Sequence, residues 1–145
     1  MTFTIHGETP SKKNSRILNT KTKKSFPNRR YVEWHDMAVA EIMACIARGD
    51  AERVPPGERV ALMFTFYHGD ERKRDDDNQL SSVLDTLVDA GILVDDKWKV
   101  APFKFVYNDL DRGNPRVEVC IEFVNSHVRI IDKMKMLWQN LFRDM

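Results

Sequence analysis

Between Val60 and Asp96 the chain passes from an apolar strand pattern, through three consecutive aspartates, into an amphipathic helix and out to a second acidic pair. The run Val60 to Tyr67, VALMFTFY, is rich in residues that suit a pleated, buried surface and predicts a central strand. Leu80, Val83, Leu84, Leu87 and Val88 recur at helical spacing and predict one apolar helix face. That helix is expected to start near Asn78, with Asp76 or Asp77 as its cap, and to end at Gly91 in the C′ position. A short apolar run, Ile92 to Val94, then leads to Asp95 and Asp96. Residues held just beyond a strand are held by a rigid element, which is what a reactive site requires.

Three adjacent carboxylates repel one another unless cations compensate, and Arg72, Lys73 and Arg74 stand directly before them. A helix N-terminus is itself mildly positive, so a metal ion there needs more than one carboxylate. In an extended segment Asp75 and Asp77 point to one side and Asp76 to the other, which makes Asp75 with Asp77 the expected ligand pair. Hard divalent ions take carboxylate oxygens, and phosphodiester chemistry uses such ions beside positive charge. The helix from Asn78 to Ala90 spans about 19 Å. The segment Gly91 to Asp96 reaches at most about 20 Å when fully extended. Asp96 therefore meets Asp77 of its own chain only by doubling straight back; otherwise it serves a site completed by another subunit. Asp85 lies on roughly the same helix face as Asp77 but too far along for the same ion.

The net charge of +1 conceals an asymmetry. Residues 9 to 30 hold eight Lys or Arg and no acid, whereas residues 70 to 96 hold nine Asp or Glu and three basic residues. The basic arm, taken as residues 8–30, carries Lys12, Lys13, Arg16, Lys21, Lys23, Lys24, Arg29 and Arg30, and with Arg72, Lys73 and Arg74 forms the expected grip on a polyanion. By composition the stretch from Gly7 to Pro27 is a loop.

Around this centre, Thr2 to His6 alternates as a short strand. A helix runs from about Asn28 to Arg48, with Tyr31, Trp34, Ala38, Ile42 and Cys45 inward, His35 on the polar side and Gly49 at its end. Lys104 to Tyr107 and Arg116 to Val124 read as strands joined by a hairpin loop through Asp109 and Asp111. Val128, Ile131, Met134, Trp138 and Leu141 make a helical stripe over about 126–143, capped by Ser126, whose Met134, Met136, Trp138 and Phe142 suit a sheet cover or a dimer contact. Cys45 and Cys120 have no metal-ligand spacing and read as reduced core thiols. The 145 residues are expected to form one α+β domain: a small mixed sheet of about four strands packed with three helices. No apolar run is long enough to span a bilayer and no signal peptide is visible, so a cytoplasmic protein is expected, nucleoid-associated when bound to DNA.

The pattern DDDN at Asp75 to Asn78, then Asp85 and Leu87, then AGILVDD ending at Asp96, resembles the RusA family of Holliday junction resolvases, found largely in phages and prophages. Gly7, Pro10 and the segment SKKNSR resemble the family's basic N-terminal region, and the resemblance spans roughly residues 3 to 124. It implies a RusA-like two-fold homodimer and a Mg²⁺-dependent endodeoxyribonuclease, Mn²⁺ substituting, that resolves four-way DNA junctions by paired symmetric nicks in recombination and repair. Asp75, Asp77 and Asp96 match the family's catalytic, metal-binding carboxylates. The family's lysine falls here at Ser81, which supplies no charge; Lys73, Lys97 or an arm lysine would have to substitute. The alternative is a weak or inactive branched-DNA-binding protein of the same fold. A structural cation site is the next rival, though no EF-hand loop is present, and a nucleotide phosphohydrolase lacks a Gly-rich phosphate loop. No organic cofactor and no membrane partner are expected.

Overall fold

A computed structural model describes residues 1–12, 16–124 and 139. Its elements in order are β1 (Thr2–His6), β2 (Arg16–Leu18), β3 (Ser25–Pro27), α1 (Arg29–Arg48), β4 (Val60–His68), α2 (Asp76–Asp89), β5 (Phe103–Leu110) and β6 (Arg116–Phe123). The main sheet has the order β1-β6-β4-β5. β6 pairs antiparallel with both β1 and β4, and β5 pairs parallel with β4. The architecture is thus α+β, a four-stranded mixed sheet with two helices among the described residues. Apart from Gln139, the helix expected over 126–143 lies outside them, as does Lys13.

Strict alternation sends Val60, Leu62, Phe64 and Phe66 of β4 inward, where they meet Val117, Val119 and Ile121 of β6 and Phe3 and Ile5 of β1. Tyr31, Trp34, Ala38, Ile42 and Cys45 are the buried face of α1, as their spacing predicts. Val83, Leu84 and Leu87 of α2 complete the same core, with Leu80 and Val88 packed against it. Asn28 caps α1 by accepting the Tyr31 N–H at 3.0 Å. Cys45 is buried, but Cys120 lies on the other face of the sheet and is partly exposed; both are free thiols. No described helix is long and apolar enough to cross a membrane.

Two sequence expectations fail on topology. Gly7 to Pro27 is not wholly a loop: β2 and β3 form an exposed antiparallel hairpin that pairs Ile17 with Phe26. Its turn is closed by the Asn19 side chain, which accepts from the N–H groups of Lys21 and Thr22. Strands of three residues are too short to leave a period in the sequence. Nor are β5 and β6 a hairpin. They flank β4 on opposite sides, so the connection through Asp111 crosses the end of β4; Tyr67 faces Asp109 on one side and Arg116 on the other. Asp111 ion-pairs with Arg116 at 2.8 Å. Turn composition reveals a change of direction but not the neighbour that the next strand joins.

Because β4 and β5 are parallel, the chain must return the length of the sheet between them, and α2 is that return. It ends with Gly91 in the left-handed region at φ 76, where the N–H of Ile92 reaches the Leu87 carbonyl at 3.0 Å. A Cβ on Gly91 would meet the guanidinium of Arg53, which donates to the carbonyls of Ala90 and Gly91. Gly91→Ala is expected to lower stability by about 1–2 kcal/mol, the cost of a left-handed conformation for a residue with a Cβ. Urea unfolding of the two proteins measures it.

Candidate metal and nucleic-acid site

The end of β4, the root of the arm, the start of α2 and the far part of β5 meet at one end of the sheet. Asp75 is the N-cap of α2 in extended backbone, and Asp76 and Asp77 occupy the first helical turn. The cap is therefore Asp75, not Asp76 or Asp77, and its carboxylate makes no capping bond; it accepts from Asn78 Nδ2 at 3.1 Å. Strand alternation does not separate the three carboxylates, because the segment is helical from Asp76. A hydrogen-bond network does. Asp76 Oδ1 accepts from Asn108 Nδ2 at 2.8 Å and from Gln79 Nε2 at 3.3 Å. Asp77 is exposed and makes no side-chain hydrogen bond or ion pair among the described residues. All three carboxylates are exposed, and Asp77 is the one without a side-chain partner among the described residues.

The network continues inward. Asn108 Oδ1 lies 2.8 Å from His68 Nε2, and His68 Nδ1 lies 2.7 Å from Glu8 Oε1. Glu8 also accepts the Gly69 N–H at 2.8 Å and pairs with Arg74 at 3.1 Å. Both imidazole nitrogens face oxygens that also accept from other donors, Gln79 Nε2 at Asn108 and Arg74 at Glu8. Glu8, His68, Gln79 and Asn108 come from four distant parts of the chain, and no local pattern marks any of them.

Arg74 proves to be a scaffold residue instead of a free phosphate grip. Its guanidinium holds Glu8 and Asp70 and donates to the Arg72 carbonyl. Asp70 accepts from the Arg72 N–H and from Arg74, which together hold its carboxyl below its ordinary 3.8. The arm root is docked on α2: Ser82 Oγ donates to the Pro10 carbonyl at 2.7 Å and accepts the Lys12 N–H at 3.1 Å. Lys12 Nζ pairs with Asp85, one helical turn beyond Ser81. Tyr31, pushed up to about 12 by burial and then by Asp85 and Asp89, lies under this pair. His35, expected on an open polar face, is wedged between the helices against Asp89 at 2.8 Å, with only 20% of its side chain exposed.

The remaining basic residues divide. Arg16 is held by Ser25 within the hairpin, Arg29 pairs with Glu33 and Arg72 with Asp70. Lys21, Lys23 and Lys24 are exposed on the hairpin turn. Arg30 and Lys73 border a cleft beside Asp75 and make no ion pair among the described residues.

Asp96 lies elsewhere. It precedes β5, whose start pairs with the start of β4, and the adjoining Val100 carbonyl accepts the Val60 N–H at 2.8 Å. The length of α2, about 21 Å, separates that end of the sheet from Asp75 and Asp77. Asp95 is held by Lys97 there, so Lys97 does not stand in for a lysine at Ser81 within one chain. Among the described residues no three His, Cys, Asp or Glu converge on a metal position. No protein-family profile and no curated protein matches the chain.

Asn108→Ala removes the residue that joins His68 to Asp76 and leaves Gln79 Nε2 with one acceptor fewer. A loss of about 0.5–1.5 kcal/mol in urea unfolding is expected, the net worth of a hydrogen bond, since Asn108 and Asp76 are exposed to water. Asp70 gives a pH signature. Its carboxyl is depressed on folding, so its contribution is complete above about pH 4 and is lost as pH falls through the lowered value. Asp70→Asn should therefore make the acid side of a stability–pH curve shallower and leave its alkaline side unaltered.

Proposed function

We propose that this protein is a Mg²⁺-dependent endodeoxyribonuclease that acts on branched DNA, four-way junctions foremost, as a RusA-like two-fold homodimer. One observation carries the reading: three adjacent aspartates are exposed at a helix start, with Asp76 tied to Asn108 and Asp77 without a side-chain partner among the described residues, beside Arg30 and Lys73, which make no ion pair among the described residues. The donor chemistry fits a hard divalent ion, since the available ligands are carboxylate oxygens with no thiolate or imidazole among them. Asp75 and Asp77 would hold Mg²⁺ or Mn²⁺. Asp96, at the other end of α2, would complete the set from the partner subunit. Bound there, the ion would supply activated water and stabilise charge on the phosphate. Two such sites related by a two-fold axis account for paired nicks in symmetric strands. Lys21, Lys23 and Lys24 on the hairpin, with Arg30 and Lys73, would hold backbone phosphates with salt-dependent, sequence-tolerant affinity.

Ser81 supports a second reading, a junction-binding protein that cuts weakly or not at all. Against it, Lys12 brings an ammonium to the same helix face one turn away and is the arm lysine best placed to supply the missing charge.

The test is a nicking assay on a synthetic four-way junction and a linear duplex, with Mg²⁺ or EDTA. Junction-selective, Mg²⁺-dependent cutting is expected. Asp77→Asn should reduce it by at least the roughly 10–100-fold that even the outer partners of metal ligands carry. It should also abolish any Mg²⁺-induced rise in Tm. Faster cutting by Ser81→Lys would identify charge at that position as limiting. Tight junction binding without cutting by any form would establish the second reading, and neither binding nor cutting would refute both.

A further inference from the structure

All six strand residues of the β2–β3 hairpin are exposed, and three of them are large and apolar: Ile17 at 59%, Leu18 at 63% and Phe26 at 50%. A two-stranded hairpin by itself is marginal in water, and apolar side chains held open on it mark a surface that something else covers. The hairpin is nonetheless built. Ile17 pairs with Phe26 across the strands, Arg16 Nε donates to Ser25 Oγ at 2.6 Å, and the Asn19 N–H donates to the Lys24 carbonyl at 2.9 Å. At its base β3 runs through Asn28, the cap of α1, directly into that helix.

The apolar residues stand on both faces. Opposite partners share a face and neighbours along a strand alternate, so Ile17 and Phe26 lie on one side and Leu18, with Ser25, on the other. A flat partner covers one face of a ribbon; only an insertion covers both. Charge is arranged along the ribbon's length. The apolar residues occupy the strands, and Lys21, Lys23 and Lys24 are exposed at the tip. No acid lies between residues 9 and 30. This order selects the occupant. A lipid bilayer would take in the tip first, and lysines are costly to bury in hydrocarbon. DNA has the matching order, with apolar base faces inside and phosphates at the outer edge. A hairpin pushed between two base pairs lays its strands on base faces and its tip on the backbone.

We infer that the β2–β3 hairpin is a wedge that enters the branch point of the DNA. Phe26 and Ile17 stack on the end of one arm, Leu18 on the facing end of another, and the tip lysines hold the phosphates beyond. Apolar side chains inserted between base steps unstack them and kink the duplex. Within a linear duplex that unstacking is a full cost. At a branch the helices end, so less stacking is lost and the wedge favours branched over linear DNA. This inference rests on the branched-DNA reading and adds the element that recognises the branch.

The experiment uses the whole chain in EDTA, so that cutting does not intervene. It measures binding to a four-way junction with 2-aminopurine beside the crossing and to a linear duplex with 2-aminopurine at its centre. Wild type should raise the fluorescence of the junction, as unstacking does. Ile17→Ala combined with Phe26→Ala should weaken junction binding by about tenfold, the worth of a stacked base, remove the fluorescence rise and change duplex affinity by no more than about twofold. The salt dependence of that double variant should equal wild type's, which shows that the hairpin still presents its lysines. Lys21→Ala combined with Lys24→Ala should instead weaken both DNAs and lower the salt slope by about 2. Phe26→Trp should keep the junction preference. Equal loss on junction and duplex in the Ile17 and Phe26 double variant, or no loss on either, overturns the wedge and leaves the nuclease reading intact. Binding to anionic phospholipid vesicles, or self-association in sedimentation, that this double variant loses while keeping its junction preference also overturns the wedge and assigns the apolar residues to that partner. Should wild type bind neither DNA, the nuclease reading fails and the wedge fails with it.

Discussion

Parallel pairing of β4 with β5 is the constraint on which the rest of the molecule depends. Two parallel neighbours cannot be joined by a tight turn, so the chain must travel back along the sheet before β5 begins. α2 is that return, and its apolar face closes the core over β4. The same geometry sends the two acidic clusters to opposite ends of the sheet. Asp75 and Asp77 stand where β4 ends, and Asp95 and Asp96 stand where β5 starts. A site that used both clusters would have to be assembled from two copies of the chain.

The end of the sheet that holds Asp75 is organised by polar bonds as well as by apolar packing. Glu8, His68, Asn108 and Asp76 form a relay from the arm root to the helix start. Arg74 locks the approach to α2 against Glu8 and Asp70, and Ser82 anchors the backbone at Pro10 and Lys12. The bonds of Glu8, Arg74 and Ser82 are partly or wholly buried, gain strength from the low local dielectric and fix orientation more sharply than apolar contact. Their combined effect is to tie Asp76 to Asn108 and to leave Asp77, and Arg30 and Lys73 beside a cleft, without an ion pair among the described residues. The basic hairpin extends from this anchored root with Ile17, Leu18 and Phe26 exposed among its lysines and arginines.

Much of this was legible in the chain before folding. The inward faces of α1, α2 and β4 follow from periods of 3.6 and 2, because burying a stripe or an alternate row requires that spacing whatever the neighbours are. Gly49 and Gly91 marked both helix ends for a local reason, the left-handed backbone beyond the last turn. Asp75 and Asp77 were expected to share one side by strand alternation, but the segment is helical from Asp76, so that argument does not operate. Asp76 is singled out by Asn108, a residue thirty-two positions away, and no local pattern contains that bond. Arg74 looked like its neighbours Arg72 and Lys73 until Glu8 was placed beside it.

What the sequence by itself determined is which residues form each element and which side of each is apolar, since those depend on near neighbours along the chain. Tertiary structure alone decided that β5 joins β4 instead of β6, that His35 is wedged against Asp89, and that Gln79 and Thr9 are buried. It also decided that Asp96 stands a helix length away from Asp77. Each of these depends on which distant segments become adjacent. That choice is made by the packing of whole faces and by the completion of buried hydrogen bonds, and both are properties of the folded chain as a whole.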